Sequence, residues 1–339
     1  MSRKKNLKKI VWKRIVTVIL AAGMVASMTA CQSGGKESSG TETTDVRIAY
    51  FPNITHTQAL VLKNQKTLEN KWKDKCSISW KSFNAGPAEM EAIFAGEIDL
   101  GYIGPVPALS ANVKSGGEVK IISNATNAGA VLLKRKDSGI NSVKDLAGKK
   151  IAVPQIGNTQ HLCLLNVLSE NGLKTTDKGG DVTVNASANA DILNLIGNGS
   201  VDAAFVPEPW GATIESKADA EVLLDYDQVF LNGDYPSAVV VVNKDFMDEH
   251  PDLVQEFLDA HKDATLYINE NSDKAQEIVN QEIEDATGKS LEKDILKKAF
   301  SRMKVTDTLN RDAVMKFGEI SKKEGFIQAV PEVEDVFTD

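Results

Sequence analysis

Between Val46 and Val206 the chain alternates short β-branched or aromatic runs with stretches of helical periodicity, and this alternation constrains its fold more than any other feature. Val46–Phe51 reads as a strand, and Thr57–Trp72 as a helix with Leu60, Val61, Leu68 and Trp72 near one stripe. The pattern then repeats. Strands are expected at 77–83, 99–103, 120–123, 130–134, 150–153, 182–185 and 202–206, and helices at 87–95, 106–113, 159–171 and 190–196. Such repetition predicts α/β layers with largely parallel sheets. After Pro236 the pattern changes to one strand, Ala238–Val242, and then four amphipathic helices at 252–268, 274–285, 291–303 and 309–323.

The first residues fix where the folded part works. Residues 1–14 carry Arg3, Lys4, Lys5, Lys8, Lys9, Lys13 and Arg14 and no acid, and an apolar run from Ile15 to Ala26 follows. A basic segment, a short apolar core and small residues describe a secretory signal, and the run is too short for a comfortable membrane span. Met28-Thr29-Ala30-Cys31 resembles the lipobox of bacterial lipoproteins, which implies cleavage before Cys31 and its acylation. That would leave the protein exported and lipid-anchored at the outer face of the cytoplasmic membrane, or in the periplasm. Residues 31–45, almost without large apolar side chains, read as a flexible tether.

Without residues 1–30 the chain holds 32 basic and 47 acidic residues, a formal charge of −15. This balance argues against nucleic acid or an anionic lipid surface as partner. It leaves room for a small anion, because local donors govern a buried site. Cys76 and Cys163 fall in separate elements and read as buried free thiols rather than a disulfide.

Chemistry concentrates in the loops between strand ends and helix starts. Four are alike: Phe51-Pro52-Asn53-Ile54-Thr55-His56, Asn84-Ala85-Gly86-Pro87, Ile103-Gly104-Pro105-Val106-Pro107 and Gln155-Ile156-Gly157-Asn158-Thr159-Gln160-His161. Glycine permits close backbone approach, proline opens a helix without wasting a donor, and Asn or Thr caps it. Each helix start offers free N–H groups and partial positive charge, a natural setting for an anion. His56 and His161 both stand at such starts. No carboxylate or thiol accompanies them at ligand spacing, so no metal site is expected. Val206-Pro207-Glu208-Pro209-Trp210 closes a buried strand, with Trp210 placed either to wall a cavity or to cover a hinge.

These segments, together with FNAGPAEMEAIFAGEIDLGYIGPVPAL, SVKDLAGKKIAVPQIGNTQH and DYPSAVVVV, resemble the solute-binding proteins of ABC importers for nitrate, aliphatic sulfonates and taurine. The resemblance covers about residues 45–325. It implies a type II periplasmic-binding-protein fold: two α/β lobes, 45–130 plus 229–339 and 131–228, with a ligand cleft between them. Carried over by matching motif, Asn53, His56, Gly86, Tyr102 and Gly104 would line one wall. Asn158, Thr159, His161, Glu208 and Trp210 would line the other, with Tyr235 near the second crossing. The CCCFC element of the thiamine-pyrimidine branch is missing.

The expected function is a monomeric receptor that captures a small anion or zwitterion and delivers it to ABC permease subunits. An aliphatic sulfonate or taurine leads, ahead of nitrate, bicarbonate or thiamine pyrimidine. Glu208 is expected either to cap a backbone donor or to meet the ammonium of a zwitterion. No G-x-S-x-G, H-E-x-x-H or CxxC element supports an enzyme, and no cofactor is implied.

Overall fold

In the computed structural model residues 44–338 are described. The expectations for the signal segment and Cys31 lie outside these residues, as does the tether up to residue 43. Thr44 and Asp45, assigned to the tether from sequence, already belong to the first strand.

Among the described residues eleven strands form two sheets. The first is six-stranded in the order β11-β4-β10-β3-β1-β2, built from β1 (Thr44–Tyr50), β2 (Cys76–Ser82), β3 (Leu100–Ile103), β4 (Val119–Ala128), β10 (Pro236–Asn243) and β11 (Met303–Val305). The second is β7-β6-β8-β5-β9, from β5 (Ala130–Arg135), β6 (Lys150–Val153), β7 (Thr183–Ala186), β8 (Ala203–Pro207) and β9 (Ala220–Leu224). Each sheet has a parallel core of three strands, β3-β1-β2 and β7-β6-β8. The remaining pairings, β3–β10, β10–β4, β4–β11, β8–β5 and β5–β9, are antiparallel.

The expectation of largely parallel sheets is therefore corrected. The chain passes from β4 of one sheet straight into β5 of the other through Gly129, at φ +76°, with no crossover helix to restore strand direction. It returns after β9 through residues 225–235 to β10.

Among the described residues thirteen α-helices flank the sheets: α1 (Thr57–Asn64), α2 (Thr67–Trp72), α3 (Gly86–Phe94), α4 (Pro105–Ser115), α5 (Thr159–Glu170), α6 (Asn189–Gly197), α7 (Trp210–Lys217), α8 (Lys244–Glu249), α9 (Pro251–Glu270), α10 (Ser272–Thr287), α11 (Lys293–Ser301), α12 (Arg311–Glu324) and α13 (Val333–Val336). The single helix expected over 57–72 is two, because Lys66 takes a left-handed conformation (φ 52°) that no continuous helix accommodates. Strands β9 and β11 and helices α7, α8 and α13 were not anticipated.

The run Val239–Val242 shows why strand β10 is so apolar. Val240 and Val242 pack on the cluster holding Leu60, Phe257 and Val279, while Val239 and Val241 face Leu109, Val314 and Phe317. A strand covered on both faces has no polar side, so alternation disappears from its sequence. Each such side chain contributes about 1.5–3 kcal/mol on burial. Cys76 and Cys163 are free and buried.

Candidate functional site

The carboxyl ends of the six parallel strands, three from each sheet, open onto one cavity with about 420 Å³ of empty space including its solvent-open mouth. The loop after β1 supplies Phe51, Asn53, Thr55 and His56, the loop after β2 Asn84, Ala85 and Gly86, and the loop after β3 Gly104 and Pro107. From the second sheet come Asn158, Thr159 and Gln160 after β6, Asn189 after β7 and Pro207 at the end of β8. Ser237, on β10, completes the wall. Ligands of open α/β sheets bind at this edge because parallel strands point their connecting helix N-termini toward it.

Close approach explains both glycines. A side chain at Gly86 would overlap the Pro107 ring, and one at Gly104 would stand 2.5 Å from Thr159 Oγ1. The second contact joins loops from different sheets, so Gly104 and Thr159 meet across the cavity.

Two loops share an Asn-x-x-His arrangement. Asn53 accepts from Thr55 N–H at 3.0 Å through Oδ1, and Phe51 N–H donates to His56 Nδ1 at 3.1 Å. In the other half, Asn158 Oδ1 accepts from His161 N–H at 2.8 Å, and Gly157 N–H donates to His161 Nδ1 at 3.2 Å. A backbone donor on the oxygen fixes each amide orientation and leaves its NH2 free. A backbone donor on Nδ1 likewise requires the Nε2–H tautomer in each neutral ring. Burial lowers the His56 pKa to about 3, so this ring is uncharged at ordinary pH. It lies stacked on Phe51, with ring centroids 4.3 Å apart.

Thr159, 4% exposed, opens the twelve-residue helix α5, and its hydroxyl has no partner. The buried Asn189 Oδ1 is also unpartnered. Buried polar atoms without partners are costly unless something fills the space they face. The lining consists of fifteen residues, none of them Asp, Glu, Lys or Arg. What it offers a ligand is neutral groups and helix N-termini, dipoles rather than counter-ions.

Of the eleven residues expected to face a ligand, the fold brings Asn53, His56, Gly86, Gly104, Asn158 and Thr159 to this cavity. The other five do not line this cavity and make contacts elsewhere. Tyr102 is fully buried and donates its hydroxyl to His261 Nδ1 at 2.9 Å, while His261 Nε2–H donates to Asn124 O at 2.8 Å. Its strand alternation turns Tyr102 away from the cavity and toward α9. His161 follows its own capping loop and stacks on Phe326 (5.3 Å between centroids), and burial lowers its pKa to about 4.

Glu208 is sealed in. It accepts from Ala212 N–H and from Arg302 Nη1, both at 2.9 Å. Burial pushes its pKa upward against the pull of those two donors. Of the two roles considered for it, the backbone cap is the one realised. Trp210 packs against the apolar cluster of Val131, Val206 and Ile214. Tyr235 makes edge contacts to Phe230 and Phe317 at 5.7 and 6.1 Å.

Sequence reasoning missed Asn189 and Ser237. Asn189 follows a strand end like the other loops, so the edge rule could have found it. Ser237 had only one signal, a hydroxyl preceding an apolar run.

Two sheets joined by two crossings, with the ligand edge of each turned to a shared cavity, give the fold of the periplasmic binding proteins. The alkanesulfonate-binding protein SsuA of Xanthomonas axonopodis pv. citri, solved bound to MOPS, superimposes with a TM-score of 0.71 over 87% of this chain and 99% of its own, at 21% identity. The chain belongs to the NMT1-like family, whose sequence profile matches residues 39–281. A Bacillus subtilis (strain 168) protein provisionally named for binding aliphatic sulfonates is 24% identical over 278 residues, 81% of this chain and 80% of its own. The taurine-binding periplasmic protein of Escherichia coli (strain K12) is 31% identical over 189 residues, 56% of each chain.

Proposed function

We propose that this protein is the extracytoplasmic receptor of an ABC importer, capturing a small organic oxyanion and handing it to membrane permease subunits. The observation that carries the reading is the convergence of six parallel strand ends on one cavity lined by neutral donors. The names of its relatives, which refer to sulfonates and taurine, support the same class. The halves 45–130 plus 229–339 and 131–228 act as lobes, hinged at Gly129 and in 225–235, and close on the ligand. Closure is favoured because the ligand bridges Asn53 and His56 on one lobe to Asn158 and Thr159 on the other, contacts that the open state lacks. An aliphatic sulfonate is the leading ligand. Export by the N-terminal signal and a lipid on Cys31 hold the receptor near its permease, and Cys31→Ala would release it into the medium or periplasm.

The test is a thermal-shift screen of the tether-free protein against ethanesulfonate, taurine, nitrate, bicarbonate, phosphate and thiamine pyrimidine. A ligand at a hundred times its dissociation constant adds about 2.7 kcal/mol, a shift of several degrees. A shift with a sulfonate supports the reading. A shift with thiamine pyrimidine alone sinks the oxyanion pocket.

A further inference from the structure

The cavity combines two properties that together limit its ligand. Most of its fixed groups are donors, namely the free amides of Asn53 and Asn158, the Nε2–H of His56 and the unpartnered hydroxyl of the buried Thr159 at the start of α5, and beside them stands one unpartnered neutral acceptor, Asn189 Oδ1. Among the described residues, no carboxylate reaches the lining. Two carboxyl groups near lining residues along the chain, Glu208 and Glu89, are withdrawn, and Asp191, two residues after Asn189 in the first turn of α6, is exposed and outside the lining. Glu208, next to Pro207, is held by Arg302 and Ala212 N–H. Glu89, one turn into α3 from Gly86, is fully buried beneath Gly101 with neither oxygen partnered.

Resting on the receptor reading above, we propose that the site is selective for oxyanions without a cationic group: it takes an alkanesulfonate and rejects the zwitterionic aminoalkanesulfonate of the same length. The oxyanion end lies against the start of α5 and the caps of both halves. The tail then runs among Phe51, Ala85, Pro107 and Pro207, which offer apolar surface and no counter-charge. An ammonium there gives up its water without gaining an ion pair, whereas a methyl group gives up nothing it needs. Asn189 is the selectivity switch, because its unpartnered oxygen gives the lining a neutral acceptor where an aspartate would give the counter-charge an ammonium needs.

Isothermal titration of the mature protein with ethanesulfonate and taurine, which differ at the far end of the same two-carbon chain, tests this. Ethanesulfonate is expected to bind about a hundredfold more tightly, the scale of an unpaired buried charge. Taurine binding as tightly or more so overturns the selectivity while leaving the receptor reading intact. Failure of both sulfonates and of nitrate, with the far-UV spectrum intact, overturns the receptor reading and the selectivity with it. Asn189→Asp supplies a second arm. Aspartate suits the first turn of α6, so folding is preserved. The ratio of the two affinities should move at least about tenfold toward taurine, as for other buried charge pairs. An unchanged ratio removes Asn189 from the role given to it.

Discussion

If, as proposed, the halves stand apart without ligand and meet at Gly104 and Thr159 on closure, replacing Gly104 with alanine should weaken ligand binding while leaving the open, ligand-free state almost unchanged. Gly104 sits at φ −66°, ψ 149°, a conformation open to any residue, so its own backbone does not object to a side chain. The objection comes from across the cavity. The new methyl would lie 2.5 Å from Thr159 Oγ1, with Pro107 Cδ at 3.5 Å on its other side. Ordinary contact requires roughly 3.5 Å, so the two loops must part by about 1 Å. Thr159 can instead rotate, but β-branching makes that stiff and takes its hydroxyl out of the cavity. Overpacking of this kind costs about 1–3 kcal/mol. Charged to the closed state alone, that cost is about a 5- to 150-fold loss of affinity. Calorimetric titration with ethanesulfonate measures it, and the melting temperature of the free protein should stay within about 1 °C, as for substitutions that cost the open state nothing. Affinity within twofold of the parent, or a melting point lowered enough to account for the loss, would refute the reasoning.

Glu89 has both oxygens buried without partners, and burial raises its pKa well above the usual carboxyl value. Its folded form therefore favours the proton, so stability is greatest below the unfolded pKa and falls as pH rises through the folded one. Glu89→Met should gain about 1–3 kcal/mol relative to the parent at pH 8 and less at pH 5, by urea unfolding; a pH-independent difference would contradict this. Three histidines act in the opposite sense. His56, His161 and His261 have pKa values lowered by burial to about 3, 4 and 4, so their stability is complete above the unfolded value and is lost as pH falls below it. His261 alone accounts for about 3 kcal/mol at ~1.4 kcal/mol per pKa unit. His161→Phe, which keeps the stack on Phe326, should flatten part of the acid limb of a stability–pH curve. Arg302 holds Glu208 at 2.9 Å, Glu215 at 2.6 Å and Asp225 at 3.2 Å. Arg302→Met should cost about 3–5 kcal/mol by stranding a buried carboxylate, and adding Glu208→Gln should recover much of it in a double-mutant cycle.

Much of the fold was legible because its signals are local. The strand β6 over Lys150–Val153 and the start of α5 at Thr159 agree with the sequence reading, since a capping Asn158 and an apolar run each act over a few residues. The glycine-and-asparagine loops also identified themselves, and six of their residues meet in one cavity. What failed was side-chain direction. Tyr102 and Gly104 are two residues apart, yet Tyr102 points into α9 and Gly104 borders the cavity. His56 and His161 occupy equivalent places in equivalent loops, and only His56 lines the cavity.

The sequence alone determined the alternation of elements, the caps that start the helices and the location of chemistry in the βα loops, because propensity and periodicity are properties of neighbouring residues. Only the tertiary structure decided that the sheets are mixed, that Gly104 and Thr159 touch, and that Arg302 claims Glu208 from 94 residues away. Those outcomes depend on which distant groups are brought close, and in a buried site a carboxylate goes to the nearest cation that packing delivers. The charge of the cavity was fixed by that allocation, which no stretch of neighbouring residues records.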